Sequence, residues 1–336
     1  MKNKKIKKWA LMLSGLVTLL MAVGVLALCT GSAGIELKTI PGILLNGKGT
    51  ADYSILIGIR LPRIILGMSI GGALSLAGTL LQGMFRNPLV EPYTLGISGG
   101  ASLGVCINIL FRFYSVIGII AYPLSGFSGA SLVIFLVYSL NRGPQHIRSN
   151  RMLLTGVMIS YVASSLVMLL MAISKTDDLQ NIVLWIMGSL DEPNTVLIRI
   201  AFFGSLAGLI ISYFFCFDLN ALMLGEEEAA NLGFNTTRTK KILFITASFL
   251  TGLSVAVAGI IMFVGLIVPH FMRMVTGPDH RILLASSFLA GAIFLTLCDI
   301  IARVIISPLE LPVGVITGII GGVMFIWALS RKQVTL

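Results

Sequence analysis

Ten apolar runs, each close to the length a helix needs to cross a bilayer, follow one another along this chain and leave little else to fold. They occupy residues 9–30, 62–82, 93–111, 114–140, 152–173, 195–217, 241–259, 261–276, 282–302 and 311–330. Roughly 20 residues of helix span a hydrocarbon core of about 30 Å, and a backbone in lipid must satisfy its own hydrogen bonds, so each run is expected to be helical. Hydrophobic residues make up 56% of the 336 and charged residues 11%, outside the range of a soluble domain on both counts. The expected fold class is an all-α polytopic membrane protein, one transmembrane domain over residues 1–336. The stretch 241–276 is nearly continuous in apolarity but would be about 54 Å long as one helix. Gly259 and Pro269 are expected to turn it back into two crossings.

Polar residues are distributed as a membrane topology demands. Five of the first eight residues are lysines, followed by the apolar run Trp9 to Cys29. That run is about twice the length of a signal-peptide core, and Leu28 is bulky where a lipoprotein cleavage site needs a small residue before Cys29. Residues 9–30 therefore read as an uncleaved first span and residues 1–8 as a cytoplasmic basic tail. With ten spans and the N-terminus inside, 16 of the 24 Lys and Arg residues fall on the cytoplasmic side. They lie in the N-terminal tail, at Arg86, in the loops Arg142 to Arg151 and Arg238 to Lys241, and at Arg273, Arg281, Arg331 and Lys332. Both termini are thus expected to be cytoplasmic, whereas nine spans would put Arg331 and Lys332 on the wrong side. The same asymmetry accounts for the net charge of +10 without a nucleic-acid partner. Cys29, Cys106, Cys216 and Cys298 form no C-x-x-C and imply neither disulfides nor a metal site.

At an offset of 181 residues Gly71 aligns with Gly252, Ala77 with Ala258, Gly78 with Gly259 and Pro88 with Pro269. The second span runs inward and the seventh outward, so the alignment implies an inverted-topology repeat, an architecture that builds pathways between its halves. Chance similarity between Gly/Ala-rich apolar helices is the competing reading. Small-residue ridges at Gly67/Gly71, Gly96/Gly100/Gly104, Gly204/Gly208 and Gly314/Gly318/Gly322 suit close helix packing within the chain, or, at one of them, a subunit interface.

Several polar residues need a physical reason to lie among these runs. Gln82, Asn87 and Glu91 sit where an ionised or amide group is costly, which points to a pathway, a partner or a broken helix. Arg60, Arg63 and Arg303 fall at the outer face, against the positive-inside trend. One reading is a basic patch that docks an acidic partner surface; the other is snorkelling to headgroups, with Asp299 pairing to Arg303 one helical turn away. The cytoplasmic loop 218–240 holds Leu222, Leu224, Gly225, Glu226, Glu227, Ala229, Ala230, Leu232 and Gly233, a short amphipathic helix bracketed by glycines. Such a helix docks in a groove of a partner, since Leu222, Met223, Leu224 and Leu232 would otherwise be left bare. His270 and Arg273 have no acid at helical spacing and read as structural rather than as a proton relay. The chain has no G-x-x-x-x-G-K-[ST], so energy from ATP must arrive from another subunit, and no cluster has metal-ligand spacing.

Eight ordered motifs, RLPR, NPLVEPYTLGISGGASLG, DDLQNIVLWIMGSL, LGEEEAANLG, GLIVPHFMR, DHRILLASS, DIIAR and ELPVGVITGIIGG, resemble the permease subunits of type II ATP-binding-cassette importers, which take up ferric siderophores, haem and vitamin B12. The resemblance runs from about Arg60 to Leu329. It implies ten spans per subunit in a bacterial cytoplasmic membrane and a second permease copy or paralogue around a central path. It further implies two cytoplasmic ATPases that hold the ATP and Mg2+, and an extracytoplasmic binding protein. By that resemblance Arg60, Arg63 and Arg303 receive acidic residues of the binding protein, Leu222 to Gly233 is the coupling element, and Ser149 and Asn150 match a cytoplasmic constriction. The permease itself performs no bond chemistry and carries no cofactor. A ferric siderophore is favoured as the largest substrate class, with haem and cobalamin open. An ion-coupled secondary transporter using Glu91 and Asp299 is a further alternative, and a scaffold or sensor is disfavoured because no loop is long enough for a soluble domain.

Overall fold

The computed structural model describes residues 2–31, 34–118, 120–141 and 149–330. Of the basic residues expected inside, Arg142, Arg148, Arg331 and Lys332 lie outside these. In chain order the helices are α1 (Lys2–Cys29), α2 (Ile40–Asn46), α3 (Ala51–Tyr53), α4 (Leu61–Phe85), α5 (Ile97–Phe111), α6 (Tyr114–Ile117), α7 (Ala121–Leu140) and α8 (Ser149–Ile173), then α9 (Thr176–Ile186), α10 (Thr195–Phe214), α11 (Cys216–Leu224), α12 (Glu226–Asn231), α13 (Thr236–Ala258), α14 (Val264–Thr276), α15 (His280–Val304) and α16 (Val313–Ser330). Among the described residues, seven helical segments are long and apolar enough to cross a membrane, and three shorter apolar ones coincide with α5, α14 and α16. Together they account for the ten apolar runs.

The second span is longer than its apolar run. Helix α3, a π-helical stretch over Ser54–Arg60 and α4 continue one another from Ala51 to Phe85. Pro62 explains the widened turn: it has no N–H for the Gly58 carbonyl, and its ring crowds that oxygen. Helix α4 is then buried nearly all round, packed by α10, α13, α14 and α15. A methyl on Gly71 would run into the Gly291 carbonyl of α15, and one on Gly78 into the Gly265 carbonyl of α14. Backbones approach this closely only across small residues, which supplies the packing that lipid does not drive.

Helices α5 and α14 have only 15 and 13 residues. At about 22 and 20 Å neither crosses a bilayer alone. The missing length is irregular backbone, residues 86–96 before α5 and 259–263 before α14, and the two segments meet inside the protein. The Phe263 N–H donates to Glu91 Oε1 at 2.6 Å, and the Ile261 N–H donates to the Tyr93 hydroxyl at 3.1 Å. Non-helical backbone at membrane depth survives only where protein groups satisfy it, and here side chains of the first half cap the turn of the second. The turn between the seventh and eighth spans comes at Gly259 (φ 70°) and Phe263 (φ 68°). Pro269, expected to take part in that turn, lies inside α14 instead.

The succession α4, α5, α7, α8 recurs as α13, α14, α15, α16: a long buried helix, a broken segment with a short helix, and two further spans. Helix α4 runs antiparallel to α15, with Gly71 beside Gly291 and Gly83 beside His280, while α13 runs antiparallel to α7, with Gly252 beside Phe127 and Ala256 beside Gly126. The first helix of each half thus packs on the third of the other. Pro88 lies in the connecting segment and Pro269 within α14, so the repeat relates elements and not the residues paired at an offset of 181. Three glycine ridges pack internally: Gly67/Gly71 on α15, Gly100/Gly104 on α7 and Gly204/Gly208 on α13. Gly318 faces open space apart from Met262.

Candidate docking and coupling sites

The antiparallel packing of α4 on α15 brings Arg60, Arg63 and Arg303 together, as the first and last turns of those helices must meet. Arg63 Nε lies 2.7 Å from Asp299 Oδ1, Arg63 Nη1 lies 2.5 Å from Glu310 Oε2, and Arg303 Nε lies 3.0 Å from Asp299 Oδ2. The remaining donors turn to the C-terminal carbonyls of α1: Arg60 Nη1 donates to the Leu28 carbonyl at 2.5 Å and Arg303 Nη1 to that of Thr30 at 2.9 Å. Cations at a helix C-terminus satisfy carbonyls that have no partner within the helix. The sequence reading expects an open basic patch. The structure instead leaves Arg60, Arg63 and Arg303 only 3%, 6% and 4% exposed, because α1 and the loop before α16 cover them. The internal Asp299–Arg303 pair weighed as the alternative is present. Breaking a buried pair of this kind leaves an uncompensated charge, at a cost of about 3 to 5 kcal/mol.

At the other end of the molecule, Gly225 (φ 138°) separates α11 from α12, and Gly233 follows α12. Leu222, expected to be bare, is buried against the core together with Leu219 and Ala229, because α11 folds back on α4 and α15. Leu224 and Leu232 are 63% and 60% exposed, and Glu227, Glu228 and Ala230 share that outer face, with Glu226 half-buried. The element is tied to the spans by partly buried polar contacts. Lys240, at the start of α13, forms an ion pair with Glu226, and the Thr239 hydroxyl donates to Asp218 at 2.7 Å. Asn220 on α11 donates to Asp279 at 3.1 Å and accepts from the His280 N–H at 2.8 Å.

Asp279 is itself a junction. It caps α15, pairs with Arg281 at 2.6 Å and receives Lys5 of α1 at 3.2 Å, while Trp9 lies beneath both cations. The Arg281 guanidinium, aided by Asn220 and Lys5, holds the Asp279 carboxyl well below the usual carboxylate range. An Asp directly before an apolar run is a legible helix cap, but its reach to Lys5 is not legible in sequence.

The polar residues between the first two broken segments find their reason in helix breaks. Gln82 Nε2 donates to the Leu266 carbonyl at 3.1 Å and to that of Gly265 at 3.3 Å, while Arg273 donates to Gln82 Oε1 at 3.2 Å. Asn87 Oδ1 accepts from the Leu89 N–H at 2.9 Å, forming a turn. Ser149 and Asn150 open α8, and their side chains lie outside the described residues. Glu310, which opens the motif ELPVGVITGIIGG, and Lys240, which lies in no motif, hold the outer and inner sites together without a sequence signal of their own.

Known proteins agree with this architecture. The chain is 36% identical over 325 residues to the hemin transport system permease protein HmuU of Yersinia pestis, covering 96% of each. It is 40% identical over 285 residues to the Fe(3+) dicitrate transport system permease protein FecD of Escherichia coli, covering 85% of this chain and 88% of that one. A solved chain of a metal-chelate type ABC transporter in an inward-facing conformation matches with a TM-score of 0.84 at 30% identity, over 96% of this chain and 99% of the other. The profile of the FecCD transport family matches residues 19–331, and the chain belongs to that family of multi-pass membrane permeases.

Proposed function

We propose that this chain forms, with a second copy or paralogue, the translocation pathway of an ATP-driven importer for a ferric siderophore or related iron chelate. One observation carries the reading. Leu224 and Leu232, on either side of helix α12, are exposed while Lys240 and Glu226 tie that helix to α13. An element that is apolar on its outside and clamped on its inside is suited to a partner's groove and to transmitting that partner's motion. Two cytoplasmic ATPases, holding ATP and Mg2+, would supply the movement, and this chain performs no bond chemistry.

The path of transmission follows the contacts. Motion of α12 reaches α13 through Lys240 and, through Asn220, reaches α15. Helix α13 ends in the 259–263 turn, which Glu91 and Tyr93 of the other half hold. Two broken segments, one capped by side chains of the other, are suited to act as a joint at the depth where a pathway must open and close. The exposed apolar faces of α8 (Leu154, Met158, Tyr161) and α16 (Ile319, Val323, Ile326) provide the surface for a second permease. In this reading both termini lie in the cytoplasm of a bacterial inner membrane, as the lysine-rich N-terminus supports, and the outer arginine cluster faces an extracytoplasmic binding protein.

The relatives handle different cargo by name, haem for one and ferric dicitrate for another, and the same architecture serves cobalamin in the alternative reading. Uptake of radiolabelled iron, supplied as ferric siderophores and as haem, beside labelled cobalamin, in a deletion strain with and without this chain restored, decides among them. Loss and rescue of ferric siderophore uptake is expected. Loss of haem or cobalamin uptake alone overturns the substrate. Transport by the purified chain alone in liposomes under an ion gradient overturns the ATP-driven reading.

A further inference from the structure

Arg63 holds two carboxylates, and they are held in different ways. Asp299 is 2% exposed, sits on α15 and is shared with Arg303. Glu310 is 43% exposed in its side chain and sits in the loop that joins α15 to α16. Arg63 is its ion-pair partner among the described residues, at 2.5 Å on the outward Nη1 edge. The inner pair is expensive to break, since each ion would be left buried. In the outer pair Arg63 is buried but Glu310 is nearly half in water, so its carboxylate can leave the guanidinium for solvent without being left buried.

We propose that Glu310 is a resident carboxylate on the outward edge of Arg63, and that a carboxylate of the extracytoplasmic binding protein takes its place on docking. The inference rests on the docking reading of the arginine cluster and explains how buried arginines serve it. Three arginines with Asp299 and Glu310 carry a net charge of 3 − 2 = +1. Once Glu310 leaves, the cluster carries 3 − 1 = +2, and an incoming carboxylate restores the balance. A guanidinium presents a fork that any carboxylate fits, so the exchange conserves the hydrogen bonds it breaks.

The exchange has a mechanical consequence. Glu310 is followed by Leu311, whose N–H donates to the Ala302 carbonyl at 3.0 Å, and by Pro312 and the start of α16. Gly314 is wedged against the carbonyls of Met187 and Ile260, with no room for a Cβ. Release of Glu310 therefore loosens the strap that seats α16 against the turn after α9 and the 259–263 turn after α13. Docking outside and the broken segments inside become parts of one movement.

The test uses the full chain in nanodiscs and acetate as the carboxylate probe. Modification of Arg63 by phenylglyoxal, read by peptide mass spectrometry, is expected to be slow in the unmodified protein and insensitive to acetate. In Glu310→Ala it is expected to accelerate about fivefold, and sodium acetate, but not sodium chloride at equal ionic strength, is expected to slow it again. The same variant, assembled with its ATPases, is expected to need about fivefold less binding protein for half-maximal stimulation. Arg63 as shielded in Glu310→Ala as before, or protected no better by acetate than by chloride, overturns the exchange. Glu310→Gln repeats the measurement with the side chain's volume kept, should Glu310→Ala fold poorly. Unchanged half-saturation in Glu310→Ala, with stimulation lost in Arg60→Gln/Arg63→Gln, overturns the exchange and leaves docking standing. Stimulation retained in that double variant overturns both.

Discussion

Gln82 on α4 donates its side-chain amide to the Gly265 carbonyl of α14 at 3.3 Å, the carbonyl that Pro269 has no N–H to serve. A helix defect in one half of the molecule is thus repaired by a side chain of the other. Gln82→Leu removes this donor, strands the Gly265 carbonyl and deprives Arg273 of its acceptor. A loss of about 1 to 3 kcal/mol per stranded group is expected, seen as a lowered melting temperature in detergent. Pro269→Ala, which restores a backbone N–H, is expected to recover part of that loss in the double variant. Additive effects of the two changes would contradict the pairing.

Lys240 is buried and ion-paired with Glu226, so it links α12 to α13 where water cannot substitute. Lys240→Met is expected to leave ATP hydrolysis by the assembled complex in place while substrate uptake falls at least about tenfold, a change of about 1.4 kcal/mol in coupling. Parallel ATPase and uptake assays on the same proteoliposomes check this. Equal loss of both activities would mean that the contact supports assembly rather than transmission.

Leu224 and Leu232 are mostly exposed and lie outside the buried core. Leu224→Asp/Leu232→Asp is therefore expected to change the melting temperature of the isolated permease little, within about 0.5 kcal/mol. Co-purification with the ATPase is expected to be lost. Retained stoichiometry would move the docking face elsewhere.

Asp279 ties α1 to α15 through Lys5 and Arg281, and Arg281 first, then Asn220 and Lys5, lower its pKa. A depressed carboxyl contributes stability that is fully present above its unfolded value and lost as pH falls through the folded one. The tie is thus expected to hold at neutral pH and to weaken only below about pH 4. Trp9 reports it, lying 4.9 Å from Lys5 Nζ and 5.2 Å from the Arg281 guanidinium carbon. In a chain whose other tryptophans are replaced by phenylalanine, Trp9 fluorescence is expected to change below that pH. In Asp279→Asn the acid-side change is expected to be absent. A transition nearer pH 6 would assign the event to another group.

Most of the frame is legible in the residues themselves. Apolar runs of bilayer length can only be helices in lipid, so the ten spans and the membrane class follow from hydropathy alone. Glycines at 225 and 233 and three glutamates between them mark α12 with no tertiary information, since capping and amphipathic period act locally. The motifs were enough to recognise the family. What the chain order could not reveal is which polar residues meet. Arg63 and Asp299 are 236 positions apart, Gln82 and Gly265 183, and Glu91 and Phe263 172, and all three pairs arise from one half of the molecule packing across the other. That packing turned the expected open arginine patch into a buried network, because the carboxylates that neutralise it come from α15 and from the loop beyond. It also drew Leu222 inward while leaving Leu224 and Leu232 bare, because α11 folds back on the core. Local periodicity decides which segments are helices; the close approach of small residues decides which of their charges are already answered when a partner arrives.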